Sequence, residues 1–137
     1  MRELQAGQSA TLKLKITDDM VRKFAELTGD SNPIHLDDVY AAKTRFGKRI
    51  AHGMLVSATL SRIAGMDLPG PGTIVMGVDV RYKAPCYIGD EVTGELTIVN
   101  VRKDKPIIKA RYVVSNQNGE ALIEGDAILY YDPIREG

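Results

Sequence analysis

The sequence predicts an α+β fold, a curved antiparallel sheet wrapped around one long central helix. Three observations carry this. A nearly uncharged stretch from about His52 to Met66 is too uniformly apolar and small for a surface helix. One stretch before it and four after it alternate in polarity with the two-residue period of a half-buried strand. Leu68-Pro69-Gly70-Pro71-Gly72 then breaks the chain between the helix and the later strands. One sheet around one apolar helix is the economical packing of that order.

Taken in order, residues 8 to 16 place Leu12, Leu14 and Ile16 on one side of a strand. Thr17 or Asp18 can cap the helix that follows, which carries Met20, Val21, Phe24 and Leu27 at helical spacing and Asp18 and Asp19 in its first turn. Gly29 ends it as a left-handed cap. Because Pro33 keeps Asn32 out of the α region, Asp30 to His35 is expected to be a bent, stiffened loop, with a short helix over Leu36 to Ala42. The buried helix comes next, its apolar positions including Met54, Leu55, Ala58, Leu60, Ile63, Ala64 and Met66. Strands are expected over 73–82, 91–101, 107–115 and 121–131, able to form consecutive antiparallel pairs through turns at Asp104-Lys105-Pro106 and Asn116 to Gly119.

A chain of 137 residues is most simply one domain over 1–137, long enough to fold around its own core. With 18 basic and 18 acidic side chains, nothing in the overall charge points to nucleic acid or an anionic membrane. Cys86 is the only cysteine, so neither an intrachain disulfide nor a thiol cluster for a metal is available. No signal-peptide core and no run of about 18 apolar residues is found, and the expected location is the cytoplasm.

The stretch that concentrates chemistry is Phe24 to His35, where an acid, Asp30, and an imidazole, His35, follow a helix end. A turn on Ser31-Asn32-Pro33 can fold both toward one water. Taken alone, the same residues also read as a turn cap and a hydrogen-bonded, partly buried histidine.

The pattern Phe24, Leu27-Thr28-Gly29-Asp30, Asn32-Pro33-Ile34-His35 and Ala41 resembles, position by position, the signature of the MaoC-like or hydratase-2 family, the (R)-specific enoyl-CoA hydratases. Ala51-His52-Gly53-Met54-Leu55 is similar to the family's entry into its central helix, and Tyr82-Lys83-Ala84-Pro85 with Gly89-Asp90-Glu91-Val92 to a further shared segment. The resemblance implies a hotdog fold and (R)-specific hydration of trans-2-enoyl-CoA, with Asp30 and His35 as catalytic acid and base. It implies no metal and no cofactor beyond the coenzyme A of the substrate. It places the thioester carbonyl at the backbone N–H of Gly53, where a helix start offers an unsatisfied donor and a positive dipole; on its own, Gly53 reads as relieving packing at a helix entry. Asn32 is expected to brace the loop through side-chain to backbone bonds, and Ser61 either to line the acyl channel or to bond back to its helix. His52 is taken as structural.

Residues 43 to 49 carry four basic side chains, Lys43, Arg45, Lys48 and Arg49, and no acid. They read either as a solvated loop or as contacts for the phosphates of coenzyme A or of a carrier protein's phosphopantetheine. The family's acyl-carrier-protein dehydratases are the nearest alternative, and a non-catalytic acyl-thioester-binding subunit is the alternative outside enzymes. Other hotdog thioesterases and dehydratases place a carboxylate on the central helix, and no Asp or Glu lies between Met54 and Met66. Shielding the outer face and edge of a single curved sheet argues for a homodimer or a larger assembly.

Overall fold

The structure, a computed structural model, describes residues 3–134. The chain runs β1 (Ser9–Lys15), α1 (Asp18–Thr28), α2 (Pro33–Leu36), α3 (Asp38–Ala42), α4 (Gly53–Ser57), α5 (Thr59–Met66), β2 (Thr73–Tyr82), β3 (Glu91–Val101), β4 (Ile107–Ser115) and β5 (Ala121–Tyr131). The five strands form one antiparallel sheet in the order β1-β3-β4-β5-β2.

The two-residue period decides which side of the sheet is inside. Leu96 pairs with Tyr112, which pairs with Gly125; Ile98 pairs with Ala110, which pairs with Ala127. Their neighbours on that face, Val92, Ile108, Val114, Ile123 and Leu129, are all nearly inaccessible. Against this face lies α5, which contributes Leu60, Ile63 and Ala64. Burying a side chain the size of Leu60 or Ile63 contributes roughly 1.5–3 kcal/mol. The helix comes so close that a Cβ on Gly94 would sit 3.2 Å from Ile63 Cδ1 and 3.3 Å from Thr59 Oγ1.

Three expectations about the sheet and the buried helix change. Only β3, β4 and β5 pair consecutively; β2 lies beyond β5 at the far edge, so the Lys83 to Asp90 connection carries the chain back to the other side of the sheet. The long helix is interrupted at Ala58, whose N–H is shared between the carbonyls of Met54 and Leu55 at 3.1 and 3.2 Å. Beside this joint, Thr59 Oγ1 donates to Val56 O at 2.9 Å and is also bonded to the buried hydroxyl of Tyr112. Finally, this helix is not buried all round. Met54 and Met66 are 69% and 62% exposed, on a stripe with Ala58, Ser61 and Arg62.

The start of the chain behaves as its sequence suggests. Thr17 caps α1 by accepting from Met20 N–H, and Gly29 closes it at φ 80°. The Asp30–His35 stretch is not wholly a loop, because Pro33 opens the one-turn helix α2 and His35 sits within it. A proline suits the first helical position, where its missing N–H costs nothing.

Candidate active site

Asp30 follows the Gly29 cap in a chain of two-residue hydrogen bonds. Thr28 Oγ1 accepts from Asp30 N–H at 3.2 Å, and Asp30 Oδ1 accepts from Asn32 N–H at 3.3 Å. Asn32 then caps α2, its Oδ1 accepting from Ile34 N–H at 3.3 Å. Local bonds of this kind stiffen a turn without help from the core. Asp30 Oδ2 has no hydrogen-bond partner among the described residues.

His35 is 9% exposed, and its Nδ1 lies 2.7 Å from the carbonyl oxygen of Ile50. A carbonyl can only accept, so Nδ1 carries the proton and the Nε2 lone pair of the neutral ring is free. His52, 2% exposed, places Nε2 3.0 Å from the carbonyl oxygen of Asp30, and by the same reasoning Nε2 donates. The two imidazoles stack with centroids 3.9 Å apart, and Phe24 backs His52 at 4.7 Å.

One donor atom from each of Asp30, His35 and His52 lies within 4.8 Å of the others. Two acceptors gripping one water at ordinary hydrogen-bond lengths stand roughly 4.6 Å apart, a separation that the 4.8 Å limit admits. Joint ligation of a metal by the two histidines fits poorly. Coordination needs the ion in the plane of each ring, and these planes are stacked with only 29° between them.

Beside the pair opens a cleft of about 690 Å³, lined by His35, Gly53, Met54, Val56, Tyr82 and the segment Lys83 to Cys86, among others. Asp30 does not line it and is exposed. Gly53 is the first residue of α4, its N-cap His52 makes no side-chain capping bond, and no described residue accepts the Gly53 N–H. The Tyr82 ring lies against Gly53, where a Cβ would be 2.7 Å from Tyr82 Cε1, and the Tyr82 hydroxyl is 3.1 Å from Ser57 Oγ. Burial among these apolar walls raises the Cys86 thiol to about 12.

Of the basic run, only Arg45 lines the cleft, with its guanidinium 4.7 Å above the Phe46 ring. Lys43 is exposed away from the lining and Lys48 sits over the Tyr87 ring. Arg49 is turned inward. It donates to Asp18 and Asp38, each at 2.8 Å, and to the carbonyl of His35 at 3.3 Å. Ser61 is exposed and outside the lining, and Ser57, one turn earlier, is the serine beside the cleft. Sequence reasoning assigned no role to Tyr82 or Lys83, although their segment was among the stretches that carry the resemblance.

Residues 2–118 match the MaoC like domain family. The (R)-specific enoyl-CoA hydratase of Aeromonas caviae is 38% identical over 128 residues, 93% of this chain and 96% of that protein. The 3-hydroxybutyryl-CoA dehydratase of Methylorubrum extorquens is 36% identical, covering 93% of this chain and 80% of its own. Among solved structures, the (R)-hydratase from A. caviae involved in PHA biosynthesis superposes with a TM-score of 0.93 at 37% identity, covering 96% of this chain and all of that one. In sequence and in hotdog architecture alike, the chain belongs to the MaoC-like family.

Proposed function

We propose that this protein is a hydro-lyase that adds water to trans-2-enoyl-CoA to give (R)-3-hydroxyacyl-CoA, and reverses that reaction. The observation that carries the reading is the convergence of the Asp30 carboxylate and the His35 imidazole beside a cleft that Gly53 also lines.

Adding water across an α,β-unsaturated thioester requires a base for the water, a proton for the α carbon and stabilisation of the enolate-like oxygen. With its proton held on Nδ1 by Ile50 O, His35 turns the Nε2 lone pair to the water, and Asp30 Oδ2 takes the water's other hydrogen. Between them the pair removes one proton from the water and returns one to the α carbon, so the hydroxyl ends on the β carbon with no net proton released. The Gly53 N–H takes the charge that develops on the thioester oxygen, assisted by the positive end of the α4–α5 helix. These steps use protein groups and water alone, with coenzyme A entering as part of the substrate.

A CoA thioester is favoured over a carrier-protein thioester because the relatives that match 93% of this chain are named for CoA substrates. Arg45 and Lys83 are the basic side chains that line the cleft and are placed to meet phosphates. A second copy of the chain completes the assembly. Edge strand β1 is guarded by Lys13 and Lys15, whereas edge strand β2 exposes Ile74, Met76 and Val78 at 62%, 57% and 51%. The exposed stripe of α4 and α5 adds Met54 and Met66. No described helix is long and apolar enough to cross a membrane. A cytoplasmic location is part of the proposal.

The test is hydration of crotonyl-CoA by the purified protein, followed at the enoyl thioester absorbance, with chiral analysis of the product. Asp30→Asn and His35→Ala should each lose about 10²- to 10⁴-fold in kcat while retaining the native circular dichroism spectrum. Full activity in either variant, or absence of turnover by the parent protein on every chain length, rejects the reading.

A further inference from the structure

We infer that His52 is a positioning residue for the catalytic pair, setting the spacing between Asp30 and His35 without touching the substrate. The inference rests on the hydratase reading and adds a third side chain to it.

His52 is 2% exposed, yet its Nδ1 has no hydrogen-bond partner among the described residues. Burying a polar atom unpaired is unfavourable, so an imidazole kept here must be offset by what the rest of the ring does. Its side-chain hydrogen bond and its ring stack both go to the catalytic pair. Nε2 donates to the Asp30 carbonyl, one face stacks on His35, and Phe24 backs the ring.

The bond to Asp30 is the one hydrogen bond among the described residues that ties Asp30 to a distant part of the chain, since its others reach only Thr28 and Asn32. Without it the exposed turn can drift relative to α2. The stack meanwhile restrains the ring of His35 about its Nδ1 tether to Ile50. One rigid ring therefore grips the backbone of the acid and the face of the base. His52 also stands at the N-cap of α4 and makes no capping bond there. Serine, threonine, asparagine or aspartate would be the ordinary capping choices. This side chain is turned instead toward the catalytic turn.

The test compares His52→Phe, which keeps an aromatic ring and loses the donor, with His52→Gln, whose amide reaches about as far as Nε2. Each is made in the parent protein and in an Asp30→Asn background, and kcat and KM are measured for crotonyl-CoA. Misplacement of about 1 Å can cost 10²-fold, so His52→Phe should lower kcat by about 10- to 100-fold with KM within about threefold, and His52→Gln should recover several-fold of that loss. In the Asp30→Asn background, His52→Phe should cost less than about threefold further, because a residue acting through Asp30 has little left to position.

A kcat within about threefold of the parent in His52→Phe overturns the inference. So do losses that simply multiply in the double variant, as damage to folding elsewhere would give. Thermal unfolding checks that the variants are folded, and should His52→Phe not fold, the same two-background comparison with His52→Gln decides. An inactive parent protein, by contrast, rejects the hydratase reading itself.

Discussion

Replacing Gly53 by alanine separates its catalytic use from its part in the fold. The backbone there does not lie at positive φ, so alanine is conformationally admissible. Its Cβ would fall 2.7 Å from Tyr82 Cε1 and 2.9 Å from Cδ1, too close for either ring carbon to stay. Tyr82 is 49% exposed and can swing toward solvent, giving up its contact with Ser57 Oγ. That loss costs about 1 kcal/mol, and alanine's better helix propensity returns up to about 1 kcal/mol, so stability should change by less than about 1 kcal/mol. Catalysis should respond differently. A thioester oxygen must come within about 2.9 Å of the amide, and the new methyl crowds that approach. Losing one such donor costs about 3–4 kcal/mol, or about 10²- to 10³-fold in kcat. Crotonyl-CoA hydration beside thermal unfolding reads both quantities, and Tyr82→Ala is the control for moving the ring alone, expected to lose less than about tenfold. A Gly53→Ala enzyme within about threefold of the parent, or an equal loss in Tyr82→Ala, would refute the assignment of the amide.

Two further predictions concern the frame around the site. Arg49→Ala should cost about 1–3 kcal/mol and several degrees in Tm by thermal denaturation, with KM for the CoA substrate nearly unchanged, because the side chain is only 12% exposed and bonds inward. The hydrogen bond from Arg49 holds the Asp18 carboxyl below its usual range, with a second bond from Arg22 adding to it. A depressed acid stabilises the fold above its unfolded value and loses that contribution as pH falls through its folded value. The stability gap between parent and variant should therefore narrow below about pH 4. Met76→Lys on β2 should shift the solution mass by light scattering from that of two chains toward one, and an unchanged mass would remove β2 as the assembly edge.

The strand boundaries were legible because alternation and turn residues are local signals, and the predicted 73–82, 91–101, 107–115 and 121–131 coincide with β2 to β5. Which strands pair is not local. Nothing in Thr73 to Tyr82 states that its partner is β5 instead of β3. The same limit explains Arg49. Its sequence neighbours are basic, but Asp18 and Asp38 meet it only after α1 and α3 fold together. Met54 and Met66 read as core because an uncharged helix face looks the same whether its own sheet or another subunit covers it. At the proposed site, Asp30, His35 and Gly53 stand out only through the family resemblance, since each alone reads as a cap, a hydrogen-bonded histidine or a packing glycine. The stacking of His52 on His35 has no such signal, since the two residues approach through α2 and the α4 lead-in, far apart along the chain.

That lead-in is where fold and chemistry become inseparable. Ile50 accepts the proton-bearing nitrogen of His35 through its carbonyl and donates its own N–H to Ile34 O at 3.3 Å. Ala51 N–H then bonds Cys86 O at 2.7 Å, drawing the Lys83 to Cys86 wall of the cleft against the helix start. His52 takes the Asp30 carbonyl, and Gly53 is left with its amide open. Four consecutive residues thus tether His35, the cleft wall and the Asp30 turn, and end at the Gly53 amide. Their relative positions are set by short main-chain tethers, anchored to a helix whose other side is the core. Because Ala51 and Val56 on either side are buried, the lead-in cannot shift without disturbing packing that stabilises the whole sheet. The site is therefore held in shape by the stability of the fold itself, while Asp30, exposed and outside the cleft lining, is the member of this series left most open to solvent.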